Sequence, residues 1–244
     1  IFLLNPFLGV LSTLFFVFVS KEKSMAFYLV IILTLFMWCL QSTRSFHLGE
    51  PSDWAGNYYY NFHNAAITDT LTYLFFTTKE YAWQAFNLIG YYLFDGDFLS
   101  YANFIVALTY MFTFAAIYKF WNYIQADPRF LVASLCLFAF VTEVNGICNN
   151  LLRQQFAMSM MLYAIIERCT NGRILYPLLV ISFFTHTMTG FFIPFLFIRL
   201  GKKASFRFYI YIVLGFGLLY ILFTNLSIFS SSSFYAFQRL ATAS

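Results

Sequence analysis

An arginine lies at one end of a predicted helical span. Arg153 lies in CNNLLRQQFAMSMMLYAIIE, where it shares a predicted helix face with Asn150 and Gln154. Free N–H groups and the positive dipole end at a helix N-terminus favour an anion, and a guanidinium fork suits phosphate. The pattern predicts anion binding by Arg153. The alternatives are an arginine that extends to a membrane interface or one that pairs with Glu143.

A histidine occupies the middle of a second apolar stretch. His186 lies in FFTHTMTGFF, within residues 174–198, which hold no Lys, Arg, Asp or Glu but include Gly190 and Pro194. The stretch is long for one membrane span and short for two, so a helix broken at a polar bend fits it. A neutral imidazole there can act as a base or donate a hydrogen bond to phosphate or sugar. The alternative is a histidine that binds a backbone carbonyl freed by the break.

A polar and aromatic loop precedes the Arg153 and His186 stretches in the chain. The run QSTRSFHLGEPSDWAGNYYYNFHN contains Arg44, Asp53, Tyr58 and Tyr59. Carboxylate, arginine and aromatic side chains together are typical of carbohydrate sites, because aromatic faces pack on sugar rings. The same composition also fits an ordinary loop at a membrane interface.

No cofactor, metal or nucleotide is predicted. The chain has no phosphate-binding glycine loop, HExxH or GxSxG motif, and its four cysteines form no C-x-x-C pair. Asp95 and Asp97 in FDGDF are typical of a turn with capping carboxylates. The formal charge of +4 does not indicate nucleic acid as a partner.

Composition places these residues in a membrane protein. Of 244 residues, 61% are hydrophobic, 23% aromatic and 10% charged, whereas soluble domains carry about 25% charged residues. Most phenylalanines lie in long apolar runs, which favours helices over a β-barrel. A span needs about 20 apolar residues, and we expect spans near 2–20, 24–42, 98–118, 130–147, 150–167 and 206–225. Since the chain starts at Ile1, we expect it to be a fragment of a longer one, folded as one polytopic domain over 1–244.

The orientation follows from the basic residues. The segment from Glu80 to Phe94 is predicted to lie on the membrane as an interfacial helix, because its tyrosines and tryptophan suit that boundary. Residues 42–97 then form an outward loop with juxtamembrane helices between the second and third spans. Ten of the fourteen basic residues fall on the opposite, cytoplasmic side: Lys21, Lys23, Lys119, Arg129, Arg168, Arg173, Arg199, Lys202, Lys203 and Arg207.

In chain order, these elements resemble the EpsG/Wzy-type polysaccharide polymerases of bacterial inner membranes. The resemblance rests on the loop GEPSDWAGNYYYNF with Asp53 and Tyr58 or Tyr59, on Glu80 before a juxtamembrane helix, on the Arg-Gln-x-x-Ala helix start within LLRQQFAMSM, and on the His-centred segment FFTHTMTGFFIPFLF. The family often has His-Ser-Ala where this chain has His186-Thr187-Met188, which leaves the detailed contacts of the histidine open.

The resemblance implies an all-α, GT-C-like bundle that joins oligosaccharide repeat units carried on undecaprenyl diphosphate, at the periplasmic face of the inner membrane. It implies membrane lipid and a chain-length-regulating copolymerase as partners, and no cofactor. Arg153 would stabilise the leaving diphosphate, and Asp53 or His186 would be the base. Arg44 would orient Asp53 or hold phosphate. The remaining substrate-binding candidates are Tyr58, Tyr59, Glu80, Glu143, Asn150 and Gln154.

Three other functions remain as alternatives. A multi-span, lipid-phosphate-sugar-dependent glycosyltransferase also places an aspartate in its first outer loop, but the Arg-Gln-x-x-Ala helix favours the polymerase. A flippase or other transporter for lipid-linked sugars would need polar residues at several depths, whereas Glu143, Arg153 and His186 gather towards the outer side. A structural membrane protein without a site would leave the outward arginines unexplained.

Overall fold

A computed structural model of the chain describes residues 5–20, 23–43, 53–75, 80–140 and 151–197. These residues belong to a unit that ends at Arg199, and the second unit, Leu200–Ser244, lies outside them. Arg44, Glu143 and Asn150 also lie outside the described residues, as does the predicted span at 206–225.

The regular elements of the described residues are all helical. They comprise α1 (Pro6–Ser20), α2 (Lys23–Ser42), a π-helical turn (Trp54–Tyr58), α3 (Tyr59–Ile67), α4 (Thr70–Phe75), α5 (Tyr81–Leu93), α6 (Phe98–Ile124), α7 (Pro128–Phe140), α8 (Leu152–Asn171), α9 (Tyr176–Thr185) and a 3₁₀ helix (Thr187–Phe197). The helical class predicted from the phenylalanine-rich runs is confirmed for this part of the chain.

Two described helices are long and apolar enough to cross a membrane. They are Met25–Ser42 within α2 and Phe98–Ile124, which is α6. Four shorter apolar helices cover Pro6–Val19, Pro128–Phe140, Tyr176–Thr185 and Thr187–Leu196. At 13 residues, α5 is well below the roughly 20 that a span requires.

The centre of the bundle is α6, which packs against α8 on one side and α2 on the other. Its buried face includes Ile105, Tyr110 and Phe114, all at most 1% exposed. Near its end, Lys119 forms an ion pair with Glu167, which lies near the end of α8. The two helices therefore run in the same direction, and both begin at the other end of the bundle.

The start of α6 is fixed by a carboxylate. Asp97 Oδ1 accepts hydrogen bonds from the backbone N–H groups of Leu99 at 3.0 Å and Ser100 at 3.4 Å, which satisfies donors that a helix start leaves free. Asp95 and Gly96 have φ values of 50° and 77° in the preceding turn. The capping turn predicted for FDGDF is thus confirmed.

The short helix α5 turns its polar side inward. Gln84 and Asn87 are buried beside Trp83, and Asn87 Oδ1 accepts a hydrogen bond of 2.9 Å from the Tyr101 hydroxyl. Gly90 permits this close packing, since a Cβ there would overlap the ring carbons of Tyr101. The other side of α5 is apolar and exposed.

The stretch after α8 is broken as predicted. Helix α9 ends at Thr185, His186 is extended with φ −155° and ψ 114°, and the 3₁₀ helix follows. The Ser182 hydroxyl donates to the Ala157 carbonyl of α8 at 2.7 Å. At the far end, Arg168 Nε donates to the Leu196 carbonyl at 3.1 Å. Both halves of the broken segment are thereby attached to α8.

Candidate active site

One carboxylate joins the arginine and the histidine. Glu80 Oε1 lies 2.7 Å from His186 Nδ1, and Glu80 Oε2 forms an ion pair with Arg153 Nη1. The three residues come from parts of the chain separated by more than 70 and 30 positions. The fold therefore assembles a charged cluster that no local stretch of sequence contains.

Each member of this cluster lies at the end of a helix. Glu80 immediately precedes α5, Arg153 is the second residue of α8, and His186 follows the last residue of α9. The bond between Ser182 and Ala157 holds α9 against α8 one helical turn from Arg153. Three helix ends thus converge on the cluster.

The cluster is sheltered but reachable. The exposed fractions of the side chains are 23% for Arg153, 12% for Glu80 and 15% for His186. Arg153 Nε is buried without a hydrogen-bond partner among the described residues. Partial shielding from water strengthens the attraction between these charges and any bound anion.

Tyr58 adds a buried phenol beside the cluster. Its ring packs edge-on against Trp83 with centroids 5.8 Å apart, and its phenol oxygen accepts a hydrogen bond from the backbone N–H of Arg153. Burial raises the pKa of the Tyr58 phenol above its ordinary value of 10.0, while the positive charge of Arg153 opposes that rise. Asp53 and Glu80 add smaller raising effects on this pKa, so both carboxylates are within electrostatic range of Tyr58.

The other predicted residues among those described are Asp53, Tyr59 and Gln154. Asp53 is exposed, next to the π-helical turn. Tyr59 packs against His63 with ring centroids 4.1 Å apart and against Phe98 at 5.7 Å, so it supports α3 rather than lining the cluster. Gln154 is half-buried, and its amide lies 4.0 Å from the sulfur of Met158.

Two features of the site were not evident from the residue types. Aromatic residues of the loop were expected to stack on sugar, but the Tyr58 ring is 5% exposed and brings its hydroxyl to the site instead. Glu80 contacts both Arg153 and His186, while substrate binding by Glu80 stays a prediction. Sequence spacing carried no signal of this pairing, because the three residues belong to different helices.

The arrangement can handle both charge and protons. Because Nδ1 of His186 faces a carboxylate, its other ring nitrogen, Nε2, is the one available to a substrate. Arg153 uses Nη1 for Glu80, and the remaining donors of its guanidinium can bind an anion. A cation and a proton acceptor held side by side are the groups that transfer of a sugar from a phosphate requires.

Comparison with known proteins decides the family. The sequence model of the EpsG family matches residues 27–243, which covers every member of the charged cluster. The chain belongs to the EpsG family. No curated protein and no solved structure matches it significantly.

Membership in the EpsG family supports a polymerase-type role in polysaccharide synthesis, carried out by a glycosyltransferase-like enzyme. The family is membrane-associated, which agrees with the two described helices that are able to span a membrane. The family assigned from the loop, the Arg-Gln-x-x-Ala helix start and the His-centred segment is confirmed.

Proposed function

We propose that this EpsG-family chain joins oligosaccharide repeat units carried on undecaprenyl diphosphate, at the outer face of the bacterial inner membrane. The observation that carries this proposal is the Glu80 carboxylate bound to both Arg153 and His186. Such a cluster fits a reaction in which a phosphate leaves while a hydroxyl loses a proton.

Arg153 stabilises the leaving diphosphate in this proposal. When the sugar–diphosphate bond breaks, its electron pair leaves with the diphosphate, whose negative charge increases. The Nη donors of Arg153 that do not bind Glu80, together with N–H groups at the start of α8, can stabilise that charge. Glu80 keeps the guanidinium in place before substrate arrives.

His186 activates the acceptor hydroxyl in this proposal. An acceptor hydroxyl oxygen bonds to the anomeric carbon, and its proton passes to His186 Nε2. Glu80, hydrogen-bonded to Nδ1 at 2.7 Å, stabilises the imidazolium that results. Asp53 is the other candidate base, and its exposed position beside Tyr58 is more suited to contacting the incoming glycan.

The direction of the bundle supports an outward site. Lys119, Arg129 and Arg168 lie at the end of the bundle where α6 and α8 finish, opposite the cluster. Basic residues concentrate on the cytoplasmic side of membrane proteins. The Glu80 cluster then faces the periplasm, where lipid-linked repeat units would be joined.

The test is a deletion of this gene in its source bacterium, restored with wild type or with Glu80→Gln, and a gel of surface polysaccharide. Glu80→Gln keeps the side-chain shape but removes the charge, and we expect loss of the polymer ladder while single repeat units still reach the surface. Asp69→Asn, an exposed acid in the same region, is the matched control and should restore the ladder.

The same gel separates the alternatives. If single repeats also disappear on deletion, the protein acts earlier, as a lipid-phosphate-sugar-dependent glycosyltransferase or a flippase. If Glu80→Gln restores a full ladder at normal protein level, the charged cluster is not the site.

A further inference from the structure

An apolar groove starts beside the charged cluster. It lies between α4–α5 and α9, has a volume of about 330 Å³ and is open along one side. Its lining is almost entirely apolar and includes Phe75, Tyr81, Ala85, Ile181 and Phe184. On α5 it uses the side opposite to buried Trp83, Gln84 and Asn87.

The groove is continuous with the cluster through the chain itself. Tyr81 follows Glu80, and Phe184 lies two residues before His186. Their rings are in contact, with centroids 5.8 Å apart, and the Phe75 ring lies 5.9 Å from the Tyr81 ring. The same two backbone segments, one at the start of α5 and one at the end of α9, therefore contribute to both the charged cluster and the apolar groove.

Helix α5 contributes two small side chains to the groove. Ala82 and Ala85 lie three residues apart on one face of the helix and line the groove together with Phe75, Ile181 and Phe184. Since α5 begins at the cluster and α9 ends there, the two helices run in opposite directions along the groove. Ala85 is about 6 Å along the helix axis from Tyr81, so the groove extends away from the charged cluster.

The occupant must be an amphiphile with an anionic head. Arg153 and His186 favour a negatively charged group at the end of the groove where the cluster lies, and the apolar lining of the groove favours a hydrocarbon chain. We propose that this groove binds the first isoprene units of the polyprenyl chain whose diphosphate lies at Arg153. This inference rests on the proposed function and adds to it the place where the lipid carrier is held.

Photo-crosslinking of the wild-type chain tests the location. The chain is placed in nanodiscs of phosphatidylethanolamine with undecaprenyl diphosphate that carries a diazirine in its first isoprene units. We expect label in peptides that cover Leu74–Ala85 and Val180–Phe184. Unlabelled undecaprenyl diphosphate should compete for this labelling, and phosphatidylglycerol should not.

A filled groove gives the second test. In Ala85→Trp, the larger side chain would fill part of the groove. We expect this variant to bind undecaprenyl diphosphate about tenfold or more weakly, while its binding of inorganic pyrophosphate stays unchanged. Ala133→Trp is the matched control, because Ala133 is an exposed alanine on α7 away from the groove. It should change neither affinity.

The outcomes separate this inference from the function on which it rests. Label on another face, equal competition by phosphatidylglycerol, or unchanged affinity of Ala85→Trp would each overturn the groove while leaving the polymerase intact. Absence of any undecaprenyl diphosphate binding above the phospholipid background would overturn both.

Discussion

Glu80 determines what its two partners can do. It occupies one nitrogen of the His186 ring at 2.7 Å and one nitrogen of the Arg153 guanidinium. A histidine oriented in this way presents a defined nitrogen to substrate, and an arginine held by a carboxylate loses less freedom when an anion binds. The cluster is therefore organised before substrate enters.

The fork of Arg153 gives the first prediction. Arg153→Ala should lower polymer formation by about 10²–10³-fold, the range seen when one donor to a developing negative charge is removed. Arg153→Lys should also impair it, because an ammonium group cannot make the bidentate contact. The measurement is polymer formed per amount of protein in the membrane.

Arg173→Lys and Arg173→Ala are the controls for that experiment. Arg173 is exposed and lies beyond the end of α8 that is opposite Arg153. Full activity of Arg153→Lys would show that charge alone is sufficient and would remove the bidentate contact from the account.

Two buried phenols predict the alkaline limit of stability. Burial raises the pKa of Tyr73 from 10.0 to about 12 and also raises the pKa of Tyr58. Since the unfolded chain ionises first, the stabilisation is fully present below pH 10 and is lost as the pH rises towards 12. The thermal midpoint of the wild type should fall across this window.

The double variant Tyr58→Phe/Tyr73→Phe should show a smaller fall over the same pH range, measured by thermal unfolding in detergent. Tyr60→Phe is the control, since Tyr60 is 58% exposed and its removal should not alter the slope. Identical slopes for all three proteins would contradict the assignment.

At the scale of elements, α5 is held by its close packing against Tyr101 of α6. Gly90 lies where any Cβ would overlap the Tyr101 ring, and Asn87 bonds the hydroxyl of the same tyrosine. Because α5 begins directly after Glu80, a shift of this helix would displace the carboxylate from Arg153 and His186.

Gly90→Ala should therefore lower the free energy of unfolding by about 1–3 kcal/mol, the usual cost of overpacking a filled core, and reduce polymer formation as well. The measurement is a thermal or denaturant unfolding curve with the polymer assay beside it. Gly172→Asn is the control, because Gly172 has φ 71° and open space around it, and asparagine tolerates that conformation. Equal stability of Gly90→Ala and wild type would disprove the packing argument.

Part of this architecture could be predicted from residue patterns. The long apolar run of α6, the capping carboxylate Asp97 and the break at His186 are local features, since each depends on one continuous segment of sequence. The inward polar side of α5 was not predicted, because Gln84 and Asn87 look the same whether they face water or a buried tyrosine.

The candidate site divides in the same way. Arg153 and His186 are conspicuous because a charged or titratable residue in an apolar run is costly without a partner. Their partner Glu80 begins an ordinary amphipathic helix, and its role depends on how α5, α8 and α9 converge. That convergence is a property of tertiary packing, which no spacing within the sequence encodes.

At the scale of the whole molecule, the bundle has two chemically different ends. The Glu80 cluster lies where α5 and α8 begin, and the Lys119–Glu167 pair lies where α6 and α8 finish. Basic residues concentrate on the cytoplasmic side of membrane proteins, so the proposed function has the Lys119–Glu167 end inside and the Glu80 cluster outside.

Cysteine labelling tests this orientation. In a variant in which the four native cysteines are replaced by serine, Asn64→Cys should react with a membrane-impermeant maleimide in intact spheroplasts. Asn171→Cys should react only after permeabilisation, because it lies at the opposite end of the bundle. Both asparagines are exposed, so accessibility is matched, and the reverse pattern of labelling would contradict an outward site.

The most direct test of the central claim is polymerisation by the purified full-length protein in vesicles, supplied with its lipid-linked repeat unit alone. We predict a ladder of polymer with release of one undecaprenyl diphosphate per linkage formed, without nucleotide sugar, and loss of both products in Arg153→Ala. Repeat units that stay single with active, correctly folded wild-type protein, or an unchanged ladder from Arg153→Ala, would contradict it.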